Sequence, residues 1–182
     1  MKKKVAILTT NGFEEVELTS PKKALEDAGA EVHIVSPKSG TIKAWDQDNW
    51  GGTYQVDKQI KDVSASDYDS LMLPGGVLNP DQLRMDEDAI SFIQDFFKQK
   101  KPVSAICHGI QSLIDADVLQ GRKVTSYPSI KRDVINAGGN WVDEEVVVDE
   151  GFTTSRTPDD LDAFNAKLVE EVREGKHEEQ HA

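Results

Sequence analysis

The chain has 182 residues, with 33 acidic against 21 basic side chains and a formal net charge of −12. That length suits one α/β domain with a sizeable core and is too short for two full-sized ones. The acidic balance disfavours nucleic-acid binding and a membrane-surface role, because phosphates and anionic lipids would be repelled by most of the surface. The single cysteine, Cys107, has no partner for an internal disulfide, which fits a reducing, cytoplasmic setting.

The opening MKKKVAILTT imitates a signal peptide, but its short apolar run leads directly to Asn11, Glu14 and Glu15, so Val5 to Leu8 reads as a first strand. No apolar stretch approaches the roughly 18 residues of a membrane span. Ser20-Pro21 reads as an N-cap followed by proline at the first helical position, Gly29 fits the far end, and Val32 to Val35 restarts a strand. This β-α-β opening favours a parallel sheet with right-handed crossovers. Thr41 to Val56, with Trp45, Trp50 and paired glycines, reads as a hairpin or surface excursion in which the tryptophans pack. Leu71 to Leu73 is the next buried strand, stopped by Pro74-Gly75-Gly76. A helix follows from Asp86 to Lys100, with Ile90, Ile93, Phe96 and Phe97 at helical spacing. Val103 to Ile106 is a strand, Gly109 to Ala116 a helix, and Cys107 falls between them. Val124 to Ser126, a helix over Ile130 to Ala137, a β segment from Val146 to Ser155 and a final helix capped by Thr157-Pro158-Asp159-Asp160 complete a single domain over residues 1–174. Residues 175–182 read as a loose polar tail.

The junction at Cys107 carries the chemistry. Reactive groups in open α/β sheets gather beyond the carboxyl ends of strands, where a following helix presents free N–H groups that favour a thiolate. Gly109 permits the sharp turn, so strand, Cys-His-Gly, helix is the cysteine analogue of a hydrolase nucleophile elbow. The plainer alternative is a small buried cysteine beside a structural His108. Adjacency alone does not make a Cys-His pair, because sequence neighbours on a helix point apart.

AICHG with Gln111 following, NGFEEVEL, the LPGG turn, GRKVTSYPSIKRDVINAGGNWVDEEVVVD and TSRTPDDL together resemble the PfpI family of intracellular proteases, deglycases and glyoxalases, from about Lys3 to Leu168. The resemblance implies an α/β/α sandwich with a mainly parallel, flavodoxin-like sheet of the glutamine-amidotransferase type. It implies Cys107 as nucleophile, His108 beside it, and a protonated acid donating to the sulfur, which NGFEE aligns with Glu14. It further implies Asp81, in GGVLNPDQL, as an acid offered to the site of a neighbouring subunit, and backbone N–H groups of Gly76 and His108 as an oxyanion hole. A homodimer or a higher homo-oligomer is expected. Ile110 stands where relatives often carry proline, and WDQDNWGG, from Trp45 to Gly52, replaces a shorter basic or glycine-rich turn.

The expected reaction is cysteine attack on reactive carbonyls, as in a glutathione-independent glyoxalase or deglycase. Its substrates would be methylglyoxal, glyoxal, or their early adducts on proteins or nucleotides. The alternatives are a PfpI-type cysteine peptidase and a redox-sensing stress chaperone in which Cys107 is oxidised. A glutamine amidotransferase is a weaker reading, since its final histidine-acid pair is not evident. No cofactor or metal is expected. His177-Glu178-Glu179-Gln180-His181 matches the HExxH zinc pattern, but it lacks an apolar face and a third ligand downstream and reads as a solvated tail.

Overall fold

The computed structural model describes residues 2–180. Its elements in chain order are β1 (Lys4–Leu8), α1 (Glu15–Asp27), β2 (Glu31–Ser36), β3 (Thr41–Asp46), β4 (Asn49–Gln55), β5 (Lys58–Gln59), β6 (Ser70–Leu73), α2 (Leu78–Leu83), α3 (Glu87–Lys98), β7 (Val103–Ile106), α4 (Gln111–Asp115), β8 (Lys123–Val124), α5 (Lys131–Asn136), β9 (Asn140–Trp141), β10 (Val147–Asp149), β11 (Phe152–Ser155) and α6 (Leu161–Glu174). Seven strands form one sheet in the order β10-β11-β7-β6-β1-β2-β5. Every neighbouring pair is parallel except β10 with β11.

The apolar runs of β1, β6 and β7 bury both faces, as a covered parallel sheet requires. Alternate residues feed two cores. Ala6, Leu8, Leu71 and Leu73 meet Phe92, Phe96 and Phe97 of α3, whereas Val5, Ile7 and Met72 meet Leu18 and Leu25 of α1 and Phe164 and Leu168 of α6. The chain leaves β1 toward β2 on one side and leaves β6 toward β7 on the other. A crevice therefore opens beyond the carboxyl ends of these central strands.

Several boundaries differ from the sequence reading. α1 begins at Glu15, so Ser20-Pro21 lies inside it. Pro21 sacrifices one helical hydrogen bond, but Glu17, Leu18, Pro21 and Leu25 are all buried, and that packing holds the turn ahead of the proline. Residues around Asp81 form a short helix rather than a loop. The expected helix from Gly109 is a 3-10 turn, Cys107–Ile110, followed by a five-residue α4. β3 and β4 form the expected hairpin, with Trp45 and Trp50 edge to face at 5.4 Å.

The expectation of a frayed tail fails for its described part. Gly175 ends α6 at φ 87°, and the His177 N–H then donates to the Lys100 carbonyl at 3.0 Å. The His177 ring pairs with buried Glu171 at 2.8 Å, and Gln180 is itself buried. The second histidine of the zinc-like pattern, His181, lies outside the described residues. No helix among the described residues is long and apolar enough to cross a membrane.

Candidate active site

Cys107 follows β7 directly and holds φ +61°, a left-handed conformation that a side-chain-bearing residue adopts at a cost of roughly 1 kcal/mol or more. The turn is closed from several sides. The Tyr127 N–H donates to the Cys107 carbonyl at 3.2 Å. Gly109 packs so closely on β6 that an added Cβ would stand 2.6 Å from the Leu73 carbonyl oxygen. The result is the elbow expected from the sequence, with Cys107 8% exposed and lining a cavity of about 670 Å³.

The acid beside the sulfur is Glu17, not Glu14. α1 turns Glu17 inward at 0% exposure, where its carboxyl faces the Cys107 thiol and the N–H groups of Gly75 and Gly76. Neither carboxyl oxygen closes a hydrogen bond of full geometry with them. Burial first, and then the neighbouring Glu14, push the Glu17 carboxyl up to about 8, so it is protonated at neutral pH. Glu14 sits one helical turn away at the cavity mouth. Its Oε1 accepts a hydrogen bond from the Gln47 N–H at 3.1 Å, tying the hairpin to the start of α1. Partial burial raises its pKa too, but its hydrogen-bond partner is the hairpin and not the thiol.

The sequence contained a sign of this. In a helix beginning at Glu15, Glu17 falls on the same inward stripe as Leu18, Pro21 and Leu25. A glutamate in an apolar stripe needs a reason. A helix taken to start at Ser20 does not contain that stripe, and the resemblance of NGFEE then points to Glu14.

Burial, followed by the negative charge that Glu17 can carry, pushes the Cys107 thiol well up, while the N–H groups of His108 and Gly76 pull it back. The short 3-10 turn after Cys107 does not outweigh burial, contrary to the expectation of a simply depressed thiol. Two adjacent buried acids cannot both ionise readily, so the first proton lost belongs to the pair. The singly charged state is either thiolate beside carboxylic acid or thiol beside carboxylate. In the first form, Glu17 can donate to sulfur.

His108 is brought to the cysteine after all. Its Nδ1 lies 3.3 Å from Sγ, and its Nε2 lies 3.3 Å from the Ser129 Oγ. Burial lowers its pKa, favouring the neutral ring, and Tyr127 stacks on it at 4.7 Å between centroids. Tyr127 and Ser129 were not singled out by sequence reasoning, since nothing in SYPS marks a site. Trp45 packs on Trp50 and also lines the cavity. Asp81 is exposed on α2 and does not line the cavity of its own chain.

Gly75 and Gly76 make the approach possible. A Cβ on Gly75 would stand 2.8 Å from both the Cys107 Cβ and the Glu17 Oε1. Gly76 holds φ +78° with the Glu14 nitrogen 2.7 Å from where a Cβ would be. Gly76→Ala is therefore expected to cost about 2–4 kcal/mol and to lower the melting temperature by roughly 5–10 °C. An unchanged melting curve would contradict this close meeting of the loops.

For a metal, one trio among the described residues brings ligand atoms within 4.8 Å of one another: Glu171, Glu174 and His177. It lies at the end of α6, and the Glu171–His177 ion pair accounts for its closest contact.

The chain is thus a mainly parallel α/β sheet with a cysteine elbow beyond its central strands and a buried carboxylic acid beside the sulfur. The chain belongs to the DJ-1/PfpI family, whose model matches residues 3–171. It is 50% identical over 169 residues to the putative cysteine protease YraA of Bacillus subtilis, covering 93% of this chain and 98% of that one. It is 47% identical over 166 residues to the deglycase PH1704 of Pyrococcus horikoshii, covering 91% and 97%. A solved two-domain protein of Anabaena variabilis with DJ-1/ThiJ/PfpI-like and ferritin-like domains superposes with a TM-score of 0.89 at 35% identity. That match covers 94% of this chain and about half, 48%, of the other.

Proposed function

We propose that the protein is a cofactor-independent enzyme that uses Cys107 to attack reactive carbonyls, as a glyoxalase or a deglycase of early glycation adducts. The observation that carries this reading is the pairing of Cys107 with a buried, protonated Glu17 at the floor of the cavity. The deglycase name of a close relative supports it. With methylglyoxal, the Cys107 thiolate adds to the aldehyde carbon and the Glu17 carboxyl gives its proton to the carbonyl oxygen, giving a hemithioacetal and leaving Glu17 a carboxylate. The proton on that carbon then moves to a catalytic base, Glu17 or His108, and is returned to the adjacent carbon, while the hydroxyl proton passes to the neighbouring carbonyl oxygen. The first carbon is thereby oxidised to a thioester and the second reduced to an alcohol, with no external oxidant. Water releases lactate and restores the thiol. The N–H groups of Gly76 and His108 would receive the developing oxyanion.

Peptide hydrolysis is the second reading, favoured by the putative protease name of another relative and by the 3.3 Å Cys107–His108 approach. It asks more of the site, because an amide is a poorer electrophile and its leaving amine must be protonated. Asp81 would act in the site of a neighbouring subunit. Exposed Val77, Leu78 and Met85 around it support a homo-oligomeric face there. A lone thiol and an acidic surface suit a reducing cytoplasm.

Product analysis tests the proposal. Methylglyoxal without glutathione should yield lactate with wild type and none with Cys107→Ala. Cysteine-dependent cleavage of an unfolded polypeptide with no lactate would replace this reading by the peptidase, and neither product would remove both.

A further inference from the structure

Asn79, the second residue of α2, is completely buried although Val77 and Leu78 before it are exposed at the cavity mouth. Its amide is fully engaged. Oδ1 accepts from the Thr10 N–H at 2.7 Å and from the Thr9 hydroxyl at 3.1 Å. Nδ2 donates to the Pro74 carbonyl at 3.0 Å and the Gly75 carbonyl at 3.2 Å. The first pair belongs to the segment that leaves β1 and leads into Glu17. The second belongs to the turn after β6 whose N–H groups face Glu17 and the Cys107 sulfur.

We propose that Asn79 is a positioning residue that sets the spacing of Cys107 and Glu17 by joining these two loops through one side chain. A carboxamide presents an acceptor oxygen and a two-proton donor at opposite corners of one rigid plane, and this bridge uses both ends. The loops meet closely at Gly76, whose missing side chain leaves room for the backbone of Gly12 and Glu14. Gly75 has no slack either, since the space its Cβ would occupy is bounded by Cys107 and Glu17. Any shift of the turn relative to α1 is therefore felt at the sulfur–carboxyl spacing. Gln82 Nε2, one turn further along α2, adds an outer tie to the Asn11 carbonyl at 3.1 Å. The proposal rests on Cys107 and Glu17 being the reactive pair, and not on which carbonyl they attack.

Asn79→Asp keeps the acceptor end and sets a carboxylate against two carbonyl oxygens in place of the donor. Thr9→Val is the milder variant, removing a single hydroxyl from the bridge. The readouts are the pH profile of Cys107 alkylation by iodoacetamide, which needs no substrate, and kcat and KM for the carbonyl reaction. Folded Asn79→Asp is expected to displace the alkylation profile by about half a pH unit or more. Its kcat should fall about tenfold or more with KM within about twofold. Thr9→Val should lower kcat by roughly two- to fivefold and move the profile in the same direction. Val172→Ala, which opens a buried position on α6, controls for lost stability alone. Should Asn79→Asp fail to fold, Thr9→Val decides. Wild-type alkylation and turnover in the folded variants, or losses matched by Val172→Ala, would overturn the proposal. A displaced alkylation profile without carbonyl turnover in wild type would uphold it while removing the proposed reaction.

Discussion

Glu17→Gln is expected to lower kcat by about a hundredfold or more, whereas Glu14→Gln should change it by less than about threefold. Glu14 caps α1 and Glu17 lies one turn further along, yet they differ in everything that proton transfer needs. Glu17 faces the thiol from a fully buried position and is protonated at neutral pH. Its amide analogue can still donate toward sulfur but cannot release and recover a proton. Binding should persist while turnover fails, so KM changes little. Glu14 uses Oε1 to accept the Gln47 N–H, and a glutamine can do the same. Steady-state kinetics of both variants beside Cys107→Ala, which should show no turnover, make the comparison. Inactivation by Glu14→Gln with activity retained in Glu17→Gln would reverse the assignment.

The sequence made the elbow readable because two independent constraints met there. The apolar run Val103 to Ile106 required a buried strand, and Gly109 required a turn too tight for a side chain against Leu73. The acid was harder to read. Ser20-Pro21 is a strong local helix-start signal, and the preceding turn exists only because tertiary burial of Glu17 and Leu18 outweighs it. No local pattern reports such a balance. Tyr127 and Ser129 were invisible for a different reason. They follow β8, a two-residue strand outside the main sheet, and reach His108 only once the chain has folded back over the elbow. The tail misled in the opposite direction, because a polar sequence can dock through its backbone, as His177 does on Lys100.

Cys107 and Glu17 also explain why Gly75, Gly76 and Asn79 cluster in so short a stretch. A thiol and a carboxyl placed together out of water repel one another when both are charged, and each alone would be better solvated outside. Backbone N–H groups at both, and loops held too tightly to part, are what keep them together.

This arrangement should be visible in stability against pH. The Glu17 carboxyl titrates near 8 when folded and near its ordinary 4.5 when unfolded. Between those values the folded chain holds a proton that the unfolded chain has released, so stability falls as pH rises through the window, and the raised Cys107 thiol continues the fall at higher pH. Glu171, also raised by burial, acts in the same direction. His108, lowered by burial, acts in the opposite one, its penalty fading as pH rises through the ordinary histidine range. The difference between wild type and Glu17→Gln cancels both background groups. That variant should match wild type near pH 5 and exceed it at pH 8 by on the order of 3 kcal/mol, a melting-temperature gain of roughly 5–10 °C. Thermal denaturation of the two proteins across this range is the measurement, and parallel curves would mean that Glu17 is not held protonated. A gain that grows with pH, in a variant that has lost turnover, would mean that the folded chain gives up stability to keep an acid beside Cys107.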